Sequence, residues 1–178
     1  DYIYNLIKSK DSCNLLIFGL GRDSDLWSDV NTGKTVFLED NVNWINKCKS
    51  EMIRLDIRHI QYTNVGYDAE RLLKDYENGN NNLILNLSDD VRNIDWDMIL
   101  VDAPAGYGKD VPCRMKSIYE AYDMSNDRQG VDVLVHDAER EIETMYSNYF
   151  FKGYDLVTTI DDGTHGVLKH FTSKVENE

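Results

Sequence analysis

Long apolar runs are missing from this chain. No stretch approaches the roughly 18 to 20 apolar residues that a bilayer-crossing helix requires, which argues against direct membrane insertion. Basic residues are scarce as well. The 19 Lys and Arg stand against 32 Asp and Glu, a formal charge of −13. Because phosphate neutralisation by Lys and Arg supplies most non-specific affinity for nucleic acid, nucleic acid is excluded as a general partner. Cysteine is sparse: Cys13, Cys48 and Cys113 form no CxxC pair, so neither a structural zinc site nor a full disulfide framework is indicated. That usage favours a reducing compartment. The start Asp1-Tyr2-Ile3-Tyr4 has no signal-peptide pattern, and since it does not open on Met, localisation is left unassigned. No repeat is visible, and 1–178 reads as a single domain with 1–12 as an N-terminal covering helix.

What is present begins with Asn14 to Phe18, a short buried strand running into the turn Gly19-Leu20-Gly21. Asp23 and Ser24 follow, both good helix N-caps. A turn of this kind presents backbone N–H groups and the positive end of a helix dipole to a polar ligand. The spacing Gly19-x-Gly21-x-x-Ser24 approaches the dinucleotide fingerprint, with Ser in place of its third Gly. Thr35 to Leu38 reads as a second strand ending in Glu39, twenty positions after Gly19. Nucleotide-binding α/β folds place there the acid that holds ribose hydroxyls.

Further on, Asn41 is expected to cap a helix reaching about Leu55, with Trp44, Ile45, Cys48 and Met52 on its apolar face. Ile57 to Tyr62 reads as a strand and Ala69 to Tyr76 as a helix. Leu83 to Leu85 suits a short strand or an extended loop, and its end, Ser88-Asp89, falls where a purine could be hydrogen-bonded. Trp96 to Asp102 is the most apolar strand, as expected for one buried on both faces. The irregular loop Ala103 to Gly108 follows, then a helix from about Pro112 to Met124. Val131 to Val135 forms the next strand and ends in His136-Asp137. Tyr154 to Ile160 and Val167 to Thr172 read as a closing hairpin. Alternating strands and helices imply an α/β fold with a mostly parallel sheet, the hairpin adding the antiparallel part.

In such sheets the ligand lies beyond the carboxyl ends of the strands. Here those ends carry Gly19 and Gly21, Glu39, Ser88 and Asp89, Asp102, and His136 with Asp137. The last three could converge on a divalent cation through oxygen and imidazole ligands, or form an acid/base group with His136 as base. Alternatively, Asp137 caps the next helix and His136 is structural. Arg22, Lys109, Arg114, Lys116 and Arg140 gather in or after these loops, which suggests an anionic group on a ligand, with plain surface charge as the other reading.

Taken in order, FGLGRDSDLW, TVFLED, Tyr62-Thr63-Asn64-Val65, NLSDD, WDMILVDAPAGY, CRMKSIY, DVLVHDAER and GVLKHF resemble the plant glucuronoxylan 4-O-methyltransferase family, a polysaccharide-biosynthesis family, from Cys13 to about Phe171. The resemblance implies a class I S-adenosylmethionine-dependent methyltransferase fold, Rossmann-like, with a seven-stranded sheet and a C-terminal antiparallel hairpin. It implies S-adenosyl-L-methionine as cofactor, bound by Gly19, Leu20, Gly21, Asp23, Ser24, Glu39, Asp40, Ser88 and Asp89. Asp102, His136 and Asp137 would face the acceptor hydroxyl, with a divalent metal, and Tyr107, Arg114 and Arg140 would contact a carbohydrate acceptor. Arg22 stands where the family has His and Cys113 where it has Gly, and the Asn-rich loop Asn78 to Asn82 is unlike a plant Golgi enzyme, so a non-plant-like member is expected. The expected activity is methyl transfer to a sugar hydroxyl of a glycan. A metal-dependent methyltransferase of catechol type and a non-catalytic scaffold are the alternatives. A nicotinamide-dependent oxidoreductase is disfavoured by Ser24 and by the absence of a second nucleotide-binding half.

Overall fold

The computed structural model describes residues 2–51 and 54–174. Met52, expected on an apolar helix face, lies outside them. Helix α1 (Tyr2–Ser9) precedes β1 (Leu15–Phe18), α2 (Ser24–Val30), β2 (Thr35–Glu39), α3 (Val42–Glu51) and β3 (Asp56–His59). A 3-10 turn at Gly66–Asp68 leads into α4 (Ala69–Glu77), α5 (Asp89–Arg92), β4 (Met98–Val101) and α6 (Met115–Asp123). The chain continues through β5 (Asp132–Val135), α7 (Glu141–Phe150), β6 (Asp155–Asp161) and β7 (Val167–Thr172). One seven-stranded sheet results, ordered β3-β2-β1-β4-β5-β7-β6. Its first five strands pair in parallel, and β7 lies antiparallel to both β5 and β6.

The central strands are buried on both faces because successive residues feed two different cores. Leu16, Phe18, Val36, Leu38, Ile99, Val101, Val133 and Val135 pack into the layer containing α4, α6 and α7. Leu15, Ile17, Phe37, Met98, Leu100 and Leu134 pack with Ile7, Trp27, Ile45 and Cys48 on the other side. The period of two in β-structure produces this division. Among the described residues no helix is long and apolar enough to cross a membrane.

Asn41 caps α3 as expected, its Oδ1 accepting the Trp44 N–H at 3.1 Å. Leu83 to Leu85 is the extended loop rather than a strand. Leu83, Leu85 and Leu87 turn inward, while the Leu85 N–H and carbonyl are taken by side chains, Glu120 at 2.5 Å and Arg92 at 2.9 Å. With both backbone groups satisfied there, no neighbouring strand is needed.

Asp132, at the start of β5, ties three elements together. Its carboxylate meets Lys10 Nζ at 2.6 Å, His170 Nε2 at 2.9 Å and the Thr172 hydroxyl at 2.9 Å. Burial alone would raise its pKa, but the hydrogen bonds from His170 and Lys10 overcome that and hold it below the usual carboxylate value. The folded-state pKa is therefore below the unfolded one. The resulting stabilisation is complete above about pH 4 and is lost as pH falls through the lowered value. Asp132→Ala is expected to cost about 3 kcal/mol, because it leaves the Lys10 ammonium and the His170 and Thr172 side chains without their shared partner. Urea unfolding at neutral pH and at pH 3 checks this: the wild-type advantage should shrink in acid.

Candidate active site

The strand register assembles the site. Phe18 is level with Leu38 of β2 and Val101 of β4, and Val101 is level with Val135 of β5. The next residues, Gly19, Glu39, Asp102 and His136, therefore form one row at the carboxyl edge. Backbone bonds carry the ladder one step further, from Gly19 N–H to Leu38 O, Asp102 N–H to Phe18 O and His136 N–H to Val101 O. The strand order reverses between β1 and β4, so Gly19 and Asp102 flank the switch point.

A cavity of about 700 Å³ opens there, lined among others by Gly19 to Gly21, Glu39 to Asn41, Trp44, Asp102 to Gly108 and His136. Gly19 has φ +118°, and a Cβ on it would stand 3.2 Å from the Ala103 Cβ. The glycine lets the turn pass close against the β4 loop. Gly19→Ala is expected to cost about 1–3 kcal/mol of stability and to weaken ligand binding in the cavity, measured by urea unfolding and calorimetry.

The turn does not leave all its N–H groups free, contrary to expectation. Leu20 N–H goes to Glu39 Oε2 at 3.0 Å, and Gly21 N–H to the Ser24 hydroxyl at 2.9 Å. Ser24 is thus the buried first residue of α2, closing the turn instead of capping the helix, and Asp23 makes no side-chain capping bond. Glu39 also accepts the Asn41 N–H at 2.8 Å. Burial raises its pKa. Each carboxylate oxygen has accepted one backbone donor and keeps a lone pair for the cavity that it lines with Asp40. On the other flank the Trp44 indole N–H donates to Leu20 O at 2.5 Å. Periodicity placed Trp44 on a helix face; its position three residues after the capping Asn41 is the signal that could have put it at the site.

The β4 loop is held by its carbonyls. Ala103 O accepts from the Ser117 hydroxyl at 2.7 Å, Pro104 O from Arg114 Nε at 3.2 Å, and Ala105 O from Arg140 Nη1 at 2.7 Å. Arg114 is 2 % exposed and also bonds the Asp102 carbonyl and carboxylate, the His136 carbonyl and the Asp137 carboxylate. Arg140 pairs with Asp137 at 2.9 Å and lies 5.6 Å from the exposed Tyr107 ring. Both arginines line the cavity, and their hydrogen bonds run to the site's own carbonyls and carboxylates. Arg114 and Arg140 order the site, Lys109 pairs with Glu141 at 2.7 Å, and buried Lys116 reaches Ile84 O at 3.3 Å. Arg22 is exposed.

Asp102, His136 and Asp137 do come together, presenting ligand atoms within 4.8 Å of one another. Asp137 has φ +54°, the one positive φ at a non-glycine among the described residues. It is held there by Arg114 at 2.7 Å and Arg140 at 2.9 Å, both on Oδ2. His136 Nδ1 lies 3.3 Å from Asp102 Oδ1 and 3.4 Å from Asp137 Oδ1, buried and without a well-directed hydrogen bond. The Asp102 carboxylate beside it raises its pKa against the opposing effect of burial. An orphaned imidazole nitrogen facing two carboxylate oxygens fits a borderline divalent ion. Asp137 does not cap α7, which begins at Glu141.

Ser88 and Asp89 are not brought to this cavity. Ser88 precedes α5 and Asp89 opens it, both exposed. Instead Ile84 to Asn86 line a separate cavity of about 320 Å³ with Ile60, Gln61 and Lys116, beyond the end of β3.

Residues 1–171 match the family model described as IRX15/IRX15L/GXM. Arabinogalactan O-methyltransferase 2 of Arabidopsis thaliana is 35% identical over 166 residues, covering 82% of this chain and 57% of its own length. Glucuronoxylan 4-O-methyltransferase 1 of the same plant is 38% identical over 166 residues, covering 84% and 59%. The chain thus spans less than two thirds of these relatives. Among solved structures, the N-methyltransferase NodS from Bradyrhizobium japonicum in complex with S-adenosyl-L-homocysteine aligns with a TM-score of 0.57. The identity is 13%, over 96% of this chain and 83% of that one. The fold is that of class I S-adenosylmethionine-dependent methyltransferases.

Proposed function

The chain belongs to the IRX15/IRX15L/GXM family, and on that basis we propose that it is an S-adenosylmethionine-dependent O-methyltransferase acting on a sugar hydroxyl of a glycan. One observation carries the reading. The row Gly19, Glu39, Asp102, His136 sets a polar cavity for a nucleoside-containing donor directly beside a group able to manage a hydroxyl proton. The relatives' names supply the substrate class.

In mechanism, Glu39 and Asp40 offer carboxylate acceptors to the ribose hydroxyls, and the Gly19–Gly21 turn lies against the amino-acid part of the donor. The loop Ala103–Ala105, fixed through three carbonyls, sets the far wall. S-adenosylmethionine supplies an electrophilic methyl group on a sulfonium, and displacement requires acceptor oxygen, methyl and sulfur in line. Asp102 and His136 orient the acceptor hydroxyl and take up its proton. Asp102, His136 and Asp137 would hold a divalent ion, which lowers the pKa of a coordinated hydroxyl.

Calorimetric titration of the intact chain separates this reading from the nicotinamide alternative. S-adenosylhomocysteine should bind one-to-one and NAD should not; the reverse pattern would refute a methyl donor. In the same format manganese should bind the wild-type chain and fail to bind His136→Ala.

A further inference from the structure

Asp102 and His136 also line a second cavity of about 700 Å³, whose wall includes Tyr2 of α1, Trp27 of α2 and, from the β6–β7 loop, Asp162, His165 and Gly166. The end of this loop is fastened to the chain just after Asp137. Ala138 N–H donates to Val167 O at 2.8 Å, and Val167 N–H to Glu139 Oε2 at 2.9 Å. These bonds extend the β5–β7 contact past the end of β5 and lay Gly166 against the Asp137 side chain. A Cβ on Gly166 would stand 2.5 Å from Asp137 Oδ1, nearer than Cβ atoms approach any neighbour, so one of the two would have to move.

Asp137 has little room to yield. Its backbone sits at φ +54°, and both Arg114 and Arg140 hold its Oδ2. Turning the carboxylate to withdraw Oδ1 from Gly166 would also carry Oδ2 off the two guanidinium groups. Oδ1 is the oxygen the arginines leave open, and it lies 3.4 Å from His136 Nδ1. The carboxylate is thus divided: one oxygen serves the arginines, the other faces the Asp102–His136 group. Only a residue without a side chain at 166 leaves that second oxygen its place.

We propose that Gly166 is a positioning residue for the Asp102–His136–Asp137 group, its bare Cα providing the space in which Asp137 Oδ1 points at His136. The consequence for metal and catalysis rests on the reading above, in which this group holds a divalent ion and manages the acceptor proton. On this assignment the β6–β7 loop, far along the chain, sets one of the three convergent ligands.

A second glycine in the same loop separates contact from backbone strain. Gly163 and Gly166 lie at φ +72° and +79°, but a Cβ on Gly163 meets nothing within 4 Å. Manganese should bind Gly166→Ala about 10–100-fold more weakly than the wild-type chain in calorimetry, as for other residues that orient a metal ligand. Gly163→Ala should bind it within about twofold of wild type, and both variants should keep S-adenosylhomocysteine affinity within the same margin. Methyl transfer by Gly166→Ala should fall in kcat with the donor KM unchanged. A metal-free arm uses urea unfolding in a double-mutant cycle with Asp137→Gly, which removes the carboxylate and suits the positive φ. Gly166→Ala should destabilise the wild-type chain more than it destabilises Asp137→Gly; folding only in the second background would be the extreme of the same result. Manganese affinity and kcat equal in the two alanine variants, no coupling in the cycle, or failure of Gly166→Ala to fold in both backgrounds would overturn the proposal. If the wild-type chain took up no manganese while the cycle still coupled 166 to 137, the cation reading would fall and the positioning of Asp137 would stand.

Discussion

Asp102→Ala is expected to slow methyl transfer by about 10²–10⁴-fold while leaving donor affinity within about twofold. The carboxylate is half-exposed at the end of β4, lines both cavities, and lies 3.3 Å from His136 Nδ1. Removing it deprives the imidazole of the neighbour that raises its pKa and takes away one of three convergent ligand atoms. It leaves the Gly19 turn and Glu39 untouched, since those are fastened to each other and to Ser24. Single-turnover transfer and calorimetry on one preparation measure the two quantities. Asp102→Asn, which keeps the shape and loses the charge, should be nearly as slow. Full turnover in either variant would remove Asp102 from the chemistry.

Arg114→Met is expected to destabilise the fold by about 3–5 kcal/mol, the largest effect on stability. One buried guanidinium holds carbonyls from Asp102, Pro104 and His136 and carboxylates from Asp102 and Asp137. Methionine fills much of the volume but takes away the donor these acceptors share, and Asp137, at positive φ, loses one of the two arginines that hold its Oδ2. Arg114→Lys retains the charge but loses the planar fork that spans several oxygens, so it should recover only part of the stability. Arg140→Met should cost less, because that side chain is 28% exposed. Urea midpoints at constant m-value rank the three variants. A ranking with Arg140→Met most severe would contradict this picture of the site's support.

These two residues also mark what the sequence made legible. Glu39, Asp102 and His136 were readable because each ends an apolar β-run, and parallel pairing sets such ends side by side. The closing hairpin and the Asn41 cap were readable from local turn and capping chemistry. Arg114 reads in the sequence as a positive charge after a loop and, through the family resemblance, as a contact for the carbohydrate acceptor, not as the support of the site. Its role depends on acceptors 10 to 23 positions away in sequence, which no local pattern encodes. Ser24 behaves likewise: a good N-cap residue by type, it turns back to Gly21 because the turn is buried. Ser88 and Asp89 were placed by analogy of strand ends, but the segment before them bonds to Glu120 and Arg92 instead of joining the sheet. The second cavity draws on α1, α2 and the β6–β7 loop, elements brought together only by the folded sheet.

The most direct test of the central claim is mass spectrometry of an oligosaccharide panel incubated with methyl-deuterated S-adenosylmethionine and the intact chain, with and without a chelator. The panel should contain neutral xylo-, arabino- and galacto-oligosaccharides, their glucuronic-acid-bearing forms, and a catechol. The account predicts one labelled methyl group on a sugar oxygen, formed by the wild-type chain, absent with Asp102→Ala and reduced by the chelator. Donor that binds yet labels no sugar, or that labels the catechol alone, would contradict it.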